Sequence, residues 1–217
     1  MCGVPYHSVD GYIAKLIKKG YRIAICEQVE DPKLAKGIVE RKVIKIITPG
    51  TALNEQLLDD KHNRFLVFLQ QDGARLCLVA ADISTGECQW FTGEGSEMLS
   101  AVQEQLFRIQ PAEVVVYSGI EGWEKLEAWL KAKLPECAIS FTRKKRNADY
   151  FAAHFADSEY GGDTLVHSAA EHMLRYLHST VKADLTHINR LTRIAVEKFM
   201  NLDATAIRNL ELVKNHA

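Results

Sequence analysis

The order of strand and helix patterns between residues 64 and 142 constrains the fold of this chain more than any other feature. Three strand patterns come first, separated by the short turns Gln71-Asp72-Gly73 and Ser84-Thr85-Gly86-Glu87. Turns this short join antiparallel neighbours. A helical pattern, a strand, a second helix and a last strand follow. The order βββαβαβ therefore predicts an α/β fold in which helices flank a mixed sheet.

That order matches the layout of the ribonuclease H-like fold, in which three antiparallel strands precede two α/β crossovers. The predicted strands are 64–70, 74–83, 88–92, 113–117 and 137–142, and the predicted helices are 98–109 and 123–134. Beyond them we predict a short helix from about Asn147, a break at Gly161-Gly162, a helix over 164–179, a strand over 191–199 and a last helix capped by Asp203.

The first fifty residues predict too few elements for a core of their own. Apolar residues spaced three and four apart from Val9 to Ile17 indicate one helix, with Ser8 as its cap and Gly20 at its end. A mostly buried strand over 21–26, a turn at Asp31-Pro32 and a strand over 39–47 follow. A unit this small rarely folds alone. We therefore expect a missing part on the N-terminal side of Met1, which would make Met1 an internal methionine.

The charge of the chain is uneven along its length. Residues 1–50 hold nine Lys or Arg against five Asp or Glu, whereas residues 51–217 hold 18 against 23. A local positive field favours phosphate binding without reading base sequence. An ordinary solvated helix face would also carry Lys15, Lys18 and Lys19, so charge alone leaves both interpretations open.

Cysteine usage and hydropathy indicate an intracellular setting. The five cysteines are odd in number and scattered, which favours reduced, buried thiols over a disulfide framework. No apolar run approaches the roughly 20 residues that span a bilayer. We expect a cytoplasmic protein with no membrane partner.

Several sequence blocks carry a resemblance to a known family. Within the first fifty residues the blocks are MCGVPYH, AICEQVEDP and VERKVIKIITPGT. In this order they resemble the second half of the mismatch-recognition domain of the MutS family of DNA mismatch-repair proteins. The likeness continues through VAADISTGE and PAEVVVY to NLDATAIRNLEL, which resembles the entry to that family's helical core.

The resemblance implies a domain order and a function. It assigns residues 1–50 to the recognition domain, 51–63 to a linker, 64–198 to a ribonuclease H-like connector and 199–217 to the start of the helical core. It implies mismatch recognition and signal relay without catalysis by this chain. The implied partners are mismatched double-stranded DNA, a MutL-type repair protein and, in the full-length family, a second copy. The ATP and Mg²⁺ of that family belong outside this chain, which has no GxxxxGK[ST].

The resemblance also implies which residues contact DNA. Proteins of this family wedge a phenylalanine into the base stack, assisted by a glutamate, and so read the deformability of a mispaired step. No Phe-x-Glu occurs here. The remaining candidates for backbone contacts are Cys2, Gly3, Val4, His7, Arg41 and Lys42. Packing of the Cys2–His7 loop against a missing half-domain is the alternative. Candidates for docking the MutL-type partner are Asn147, Asp149 and Tyr150.

A ribonuclease H-like sheet also raises the possibility of a metal-dependent nuclease. Such enzymes hold two metal ions with carboxylates from the first strand, first helix and fourth strand. Asp82 lies where the first carboxylate would be, but the fourth strand ends in Ser118 and Gly119. Glu97 or Glu104 on the helix therefore lacks a partner. Asp82 is more simply explained as a strand-end residue that bonds turn amides. A pure protein-interaction module is the third hypothesis.

Two further patterns fail to define a site. His167, His172 and His178 fall on one predicted helix, but their separations of five and six residues do not place three ligands on one face. We interpret them as surface or half-buried imidazoles and expect no metal. The basic run over 143–146 is more typical of a solvated loop than of a nucleic-acid contact.

Overall fold

The computed structural model describes residues 3–31, 37–52, 64–117, 119–142, 149–156, 158, 160–181 and 184–195. Two sheets organise these residues: a two-stranded sheet, and a six-stranded one. We call residues 3–52 the first module and residues 64–195 the sheet module. Among the described helices, none is long and apolar enough to cross a bilayer.

The first module is one helix on a two-stranded antiparallel sheet. Its elements are α1 (Val9–Lys18), β1 (Ile23–Gln28) and β2 (Arg41–Ile47), with a 3₁₀ turn at Tyr6–Ser8 before α1. A small cluster around Ile13, Ile17 and Ile47 joins the helix to the sheet. The strand pairing shifts by one residue between Ile25 and Cys26, which is a β-bulge. β2 also lies beside α5 (Thr164–Val181) of the sheet module, so the two-stranded sheet contacts helices of both modules.

The sheet module contains a six-stranded mixed sheet in the order β7-β6-β3-β4-β5-β8. Its strands are β3 (Phe65–Asp72), β4 (Arg75–Asp82), β5 (Cys88–Glu94), β6 (Glu113–Tyr117), β7 (Ala138–Thr142) and β8 (Leu191–Arg193). The first three form an antiparallel meander. β6 is parallel to β3, β7 to β6, and β8 to β5. The predicted βββαβαβ order is therefore confirmed.

Helices cover both faces of this sheet. They are α2 (Met98–Ile109), α3 (Trp123–Lys133), α4 (Phe151–Phe155) and α5 (Thr164–Val181). Alternate residues of β3 point to opposite faces: Leu66 and Phe68 pack with α4 and α5, whereas Val67 and Leu69 pack with α2 and α3. All four are fully buried, so the central strands lie between two cores.

Some expectations about the first module are wrong. The strand predicted over 21–26 begins at Ile23 and is mostly exposed, because within the first module its neighbours are one strand, β2, and one helix, α1. The prediction of buried thiols is wrong for Cys26, which is exposed, and confirmed for Cys77 and Cys88 of the sheet module, which are buried free thiols. Burial raises the pKa of the Cys77 and Cys88 thiols. Cys137 is half-buried, and burial raises its pKa to about 12.

Other expectations fall on residues outside the described ranges. These are the turn at Pro32, most of the predicted linker, the basic run over 143–146, the strand beyond residue 195 and the helix after Asp203. Thr51 and Ala52, the first two residues of the predicted linker, are buried. The domain boundaries remain predictions.

Candidate nucleic-acid interface

The candidate DNA-contacting segments of the first module lie at one end of it. α1 and β1 pack against each other across the four-residue connection 19–22, so the chain reverses direction there. The far end of β1, where Gln28 pairs with Arg41, is therefore brought toward the start of α1. The segment from Gly3 to His7 leads into that same start.

The described candidates at this end are solvent-exposed. Gly3, Val4 and His7 precede α1, and the Val4 side chain is 41% exposed. Arg41 and Lys42 are exposed at the start of β2. Cys2 lies outside the described residues. Exposed loop amides and cations have the form of backbone-positioning contacts to phosphate.

Nearby carboxylates offset the positive charge at this end. The Lys42 ammonium lies 3.1 Å from the Glu40 carboxylate, and Lys42 stands opposite Glu27 in the strand pairing. Lys15 and Lys18 belong instead to the last turn of α1, where cations favour the helix dipole. Among the described residues of the first module, the cations therefore do not form one continuous patch, which a count of charges along the sequence could not reveal.

Asp82, the residue behind the nuclease hypothesis, is occupied by protein donors. It ends β4, the second strand of the sheet module, and not the first strand as the hypothesis requires. One carboxylate oxygen accepts the backbone N–H of Ser84 at 2.8 Å and its hydroxyl at 2.6 Å. The other accepts the backbone N–H of Arg64 at 3.1 Å. The predicted role in bonding turn amides is confirmed.

A second buried carboxylate, Glu113, was not identified as a site by the sequence pattern. It begins β6 and pairs with Leu66 of β3, while Asp82 pairs with the adjacent Phe65 from the other side. The signal was an acidic residue at the start of the apolar run Glu113–Tyr117. Glu97 instead accepts the Ser100 hydroxyl at 2.9 Å. Within the described residues, no group of three His, Cys, Asp or Glu could hold a metal ion.

Comparisons with known proteins agree with the resemblance. Residues 1–56 match the family model of MutS domain I. The chain is 37% identical over 222 residues to the DNA mismatch repair protein MutS of Desulforamulus reducens, with 99% of this chain and 26% of the relative covered. The MutS of Syntrophomonas wolfei is 38% identical, over 98% of this chain and 26% of its own length. That of Brevibacillus brevis is 37% identical, over 99% and 24%.

The chain belongs to the MutS family. It spans about a quarter of the length of the relatives it matches. The alignments run through both modules, so the sheet module is part of the similarity as well as the first module. The relatives are named DNA mismatch repair proteins.

In this MutS-family chain one of the candidate docking residues, Tyr150, borders a cavity of about 170 Å³. Tyr150 lines it directly, and its ring stacks on His178 with centroids 4.2 Å apart. Asp149 accepts a backbone bond from Ala152 at the start of α4. Asn147 lies outside the described residues. The other lining residues come from the ends of β6 and β7 and from α5: Tyr117, Thr142, His172, Arg175, Tyr176 and Ser179.

The three histidines of α5 separate, as their spacing indicates. His167 packs on Phe151, His172 stacks on Tyr117 and His178 stacks on Tyr150. All three are half-buried, so the interpretation as half-buried imidazoles is confirmed. Burial lowers the pKa of His172 and of His178.

A histidine pair was missed by the sequence analysis. The Nε2 atoms of His154 and His178 are 3.1 Å apart, and His154 Nδ1 lies 2.8 Å from the carbonyl oxygen of Ile188. Since a carbonyl oxygen only accepts, His154 Nδ1 donates to it, and in the neutral His154 ring Nε2 then accepts from His178. The pair ties α4 to α5. Residues 154 and 178 are 24 apart, and no local pattern connects them.

Proposed function

We propose that this chain is a non-catalytic part of a mismatch-recognition protein. In this proposal the first module contacts duplex DNA, and the sheet module is the ribonuclease H-like connector that relays the bound state. The linker would comprise residues 51–63, and the helical core would begin near residue 199. The observation that carries the proposal is the similarity to MutS proteins across 98–99% of the chain.

The proposed DNA contacts are to the phosphate backbone. Gly3, Val4 and His7 with Cys2 would meet one strand, and Arg41 and Lys42 would supply cations at the same end of the module. The exposure of the described members, Gly3, Val4, His7, Arg41 and Lys42, supports this role. Because backbone contacts position a protein without reading bases, and because no Phe-x-Glu is present, we expect little preference for a mismatch.

Fluorescence anisotropy with matched and mismatched duplexes tests the proposal. We expect weak binding by the 217-residue chain that falls steeply with salt, since each neutralised phosphate adds about −0.9 to the slope of log K against log salt. The double variant R41A/K42A should bind more weakly, and Lys125→Ala, an exposed lysine of α3, should bind as wild type. A strong preference for the mismatched duplex, or equal binding by all three proteins, would contradict the proposal.

The sheet module is proposed to bind and relay without hydrolysis. The protein donors already bonded to Asp82 and Glu113 support this view over a two-metal nuclease. Magnesium-dependent cleavage of an RNA–DNA hybrid that is lost in Asp82→Ala would establish the nuclease instead. We assign the ATPase activity, with its ATP and Mg²⁺, to other domains of the full-length proteins of this family.

We further propose that the surface at Asn147, Asp149 and Tyr150 docks a MutL-type partner in the full-length, homodimeric, cytoplasmic protein. The supporting feature is the cavity beside Tyr150, which combines tyrosine, histidine and arginine side chains. Tyrosine and arginine are enriched among residues that dominate binding energy at interfaces. A protein that serves only as an interaction module would bind such a partner and no duplex, which the anisotropy titration distinguishes.

A further inference from the structure

The turn that ends the first module is buried against the sheet module. Thr48 and Thr51 bracket it, and both are almost fully buried. The Thr51 hydroxyl accepts the Thr48 backbone N–H at 3.0 Å, and the two hydroxyl oxygens are 2.8 Å apart. The Thr51 N–H returns a bond to the Thr48 carbonyl at 3.1 Å. The two threonines thus satisfy each other's hydrogen-bonding groups within the turn, and the N–H of Gly50 points away from the turn toward the sheet module.

Glu113 receives that N–H in the sheet module. Its side chain is 0% exposed, and one carboxylate oxygen accepts the Gly50 N–H at 3.0 Å. The other oxygen accepts the hydroxyls of Ser140 on β7 and Tyr176 on α5, both at 2.7 Å. A buried carboxylate is costly unless donors surround it. Here three donors from three separate segments meet one side chain.

Tyr176 is held in its role as donor. Burial, followed by the nearby Glu113 carboxylate, raises the pKa of the Tyr176 hydroxyl well above its ordinary value. The hydroxyl therefore keeps its proton at neutral pH and donates a hydrogen bond to Glu113. The guanidinium of Arg22 lies over the face of the Tyr176 ring, 5.8 Å from the ring centroid, and this contact links Tyr176 directly to the first module.

The close approach at Gly50 requires a glycine. A Cβ atom built there would lie 2.8 Å from the Cβ of Glu113 and 3.0 Å from the Cβ of Leu66. Neither neighbour is the end of a flexible chain. The adjacent Pro49 carbonyl accepts the Nε–H of Arg64 at 2.8 Å, so the turn is bonded from both sides of the Gly50 position. The backbone at Gly50 is therefore in direct contact with the sheet module, and its position is fixed by that contact.

We propose that Glu113 is a positioning residue that fixes the angle at which the first module stands on the sheet module. Its bonds to Gly50 and Tyr176 make the exit turn a rigid joint. Tyr176 also lines the cavity beside Tyr150, so α5 connects the joint to the proposed docking surface. The joint itself does not depend on the proposed function. Only its use, to carry deformation of a bound duplex into α5, rests on that function.

Distance measurement between spin labels tests the joint directly. One label is placed on Cys26, which is exposed in β1, and the other on a cysteine introduced by Ala132→Cys at an exposed position of α3. Cys2 and Cys137 are replaced by serine, and the buried Cys77 and Cys88 are left in place. Electron–electron double resonance on the 217-residue chain, without DNA, should give a single narrow distance.

Gly50→Ala should abolish that single distance and give a broad or displaced distribution, because the added Cβ meets Glu113 and Leu66. Gly11→Ala in α1 is the matched control, since a Cβ there meets nothing within 4 Å. The tryptophans at 90, 123 and 129 all lie in the sheet module, so their fluorescence verifies that it remains folded. Glu113→Ala with an intact tryptophan signal should behave as Gly50→Ala does.

Two results would overturn the joint. One is a broad distribution in the otherwise unaltered protein, and the other is a narrow, unchanged distance in Gly50→Ala. Failure of the proposed function is seen separately, as absence of duplex binding by a chain whose distance is narrow. If duplex binds, the narrow distance should persist in the complex, and a distribution that broadens on binding would contradict the transfer of deformation to α5.

Discussion

The two modules of this chain differ in how far each can bury its own apolar residues. The sheet module has a core on each face of its sheet, filled from both sides by helices. The first module has four buried apolar residues in its cluster and leaves large side chains exposed, including Tyr6 and Ile38 at about nine-tenths exposure. Stability therefore resides in the sheet module, and exposed surface for contacts is concentrated in the first module.

This contrast explains why the polar contacts of the Glu113 joint matter. A module with a small core of its own is held in place by the surface to which it is bonded. The sheet module tolerates the buried carboxylates of Asp82 and Glu113 because each is surrounded by donors. One of them closes a turn within the sheet module, and the other reaches the neighbouring module.

The largest expected effect is loss of core packing in the sheet module. Phe68 is fully buried in β3, and Phe68→Ala should destabilise the module by about 3–5 kcal/mol through lost burial and the cavity it leaves. Urea unfolding followed by tryptophan fluorescence measures this change. Ile13→Ala in α1 is the matched change in the first module. It should expose β1 and β2 amides to hydrogen exchange while moving the tryptophan transition by less than about 1 kcal/mol.

An equal shift of the tryptophan transition in the two variants would contradict the contrast between modules. It would mean that the small cluster around Ile13 contributes as much to the stability of the sheet module as the central core does.

A smaller effect is expected from the buried carboxylate at the end of β4. Asp82→Ala leaves the N–H groups of Ser84 and Arg64 without their acceptor, which should cost about 1–3 kcal/mol. Glu40→Ala, which removes an exposed ion pair in the first module, should have almost no effect. Urea unfolding checks both. Magnesium should change neither result, and stabilisation of the wild type alone by magnesium would indicate a metal site at Asp82.

The fold of the sheet module follows closely from its sequence. Strand-like apolar runs, short turns and amphipathic helix faces are local signals that can be seen in the sequence. They predict the bounds of the strand Glu113–Tyr117 correctly at both ends. The burial predicted for the strand over 21–26 was wrong, because the hydrophobicity of a segment does not determine how many neighbouring elements cover it. Cys26 is exposed for the same reason.

The candidate sites were less predictable. The exposed segment before α1 and the residues Arg41 and Lys42 were identified from a family resemblance, which did not indicate that Lys42 pairs with Glu40. The Glu113 joint brings together residues 50, 113, 140 and 176. Contacts over such sequence separations arise from the tertiary fold and leave no periodic pattern.

The pH dependence of stability should arise in the sheet module. Burial lowers the pKa of His172 and His178, with a further contribution from Arg175 to the first and from His154 to the second, opposed by Glu171 at both and by Asp184 at His178. The unfolded chain takes up protons near pH 6.5, before these folded imidazoles do. The contribution of these two imidazoles to the free energy of unfolding is therefore fully present above about pH 6.5, and it is lost as the pH decreases below that value.

Urea unfolding at several pH values between 7.5 and 5.5 measures this slope. The double variant H172Q/H178Q should have a flatter profile than wild type, and His7→Gln, an exposed residue of the first module, should keep the wild-type slope. A wild-type slope in the double variant would show that these two imidazoles do not carry the dependence.

The smallest expected effect concerns one surface cation of the first module. Lys42→Ala should leave the tryptophan transition unchanged and reduce the salt slope of duplex binding by about 1, as for loss of one phosphate contact. Anisotropy titrations at several salt concentrations measure the slope. An unchanged slope would mean that the ion pair with Glu40 keeps Lys42 away from phosphate, and would remove it from the proposed interface.

The proposal that the first module contacts duplex DNA and the sheet module does not is tested most directly by NMR mapping of the residues that a bound duplex affects. Amide chemical shifts are followed while a matched duplex is added to the isotopically labelled protein. We expect perturbations concentrated between residues 3 and 47, strongest in the segment before α1 and at Arg41 and Lys42, with the β3–β4–β5 meander unchanged. Perturbations centred on the sheet module, with the first module silent, would contradict it.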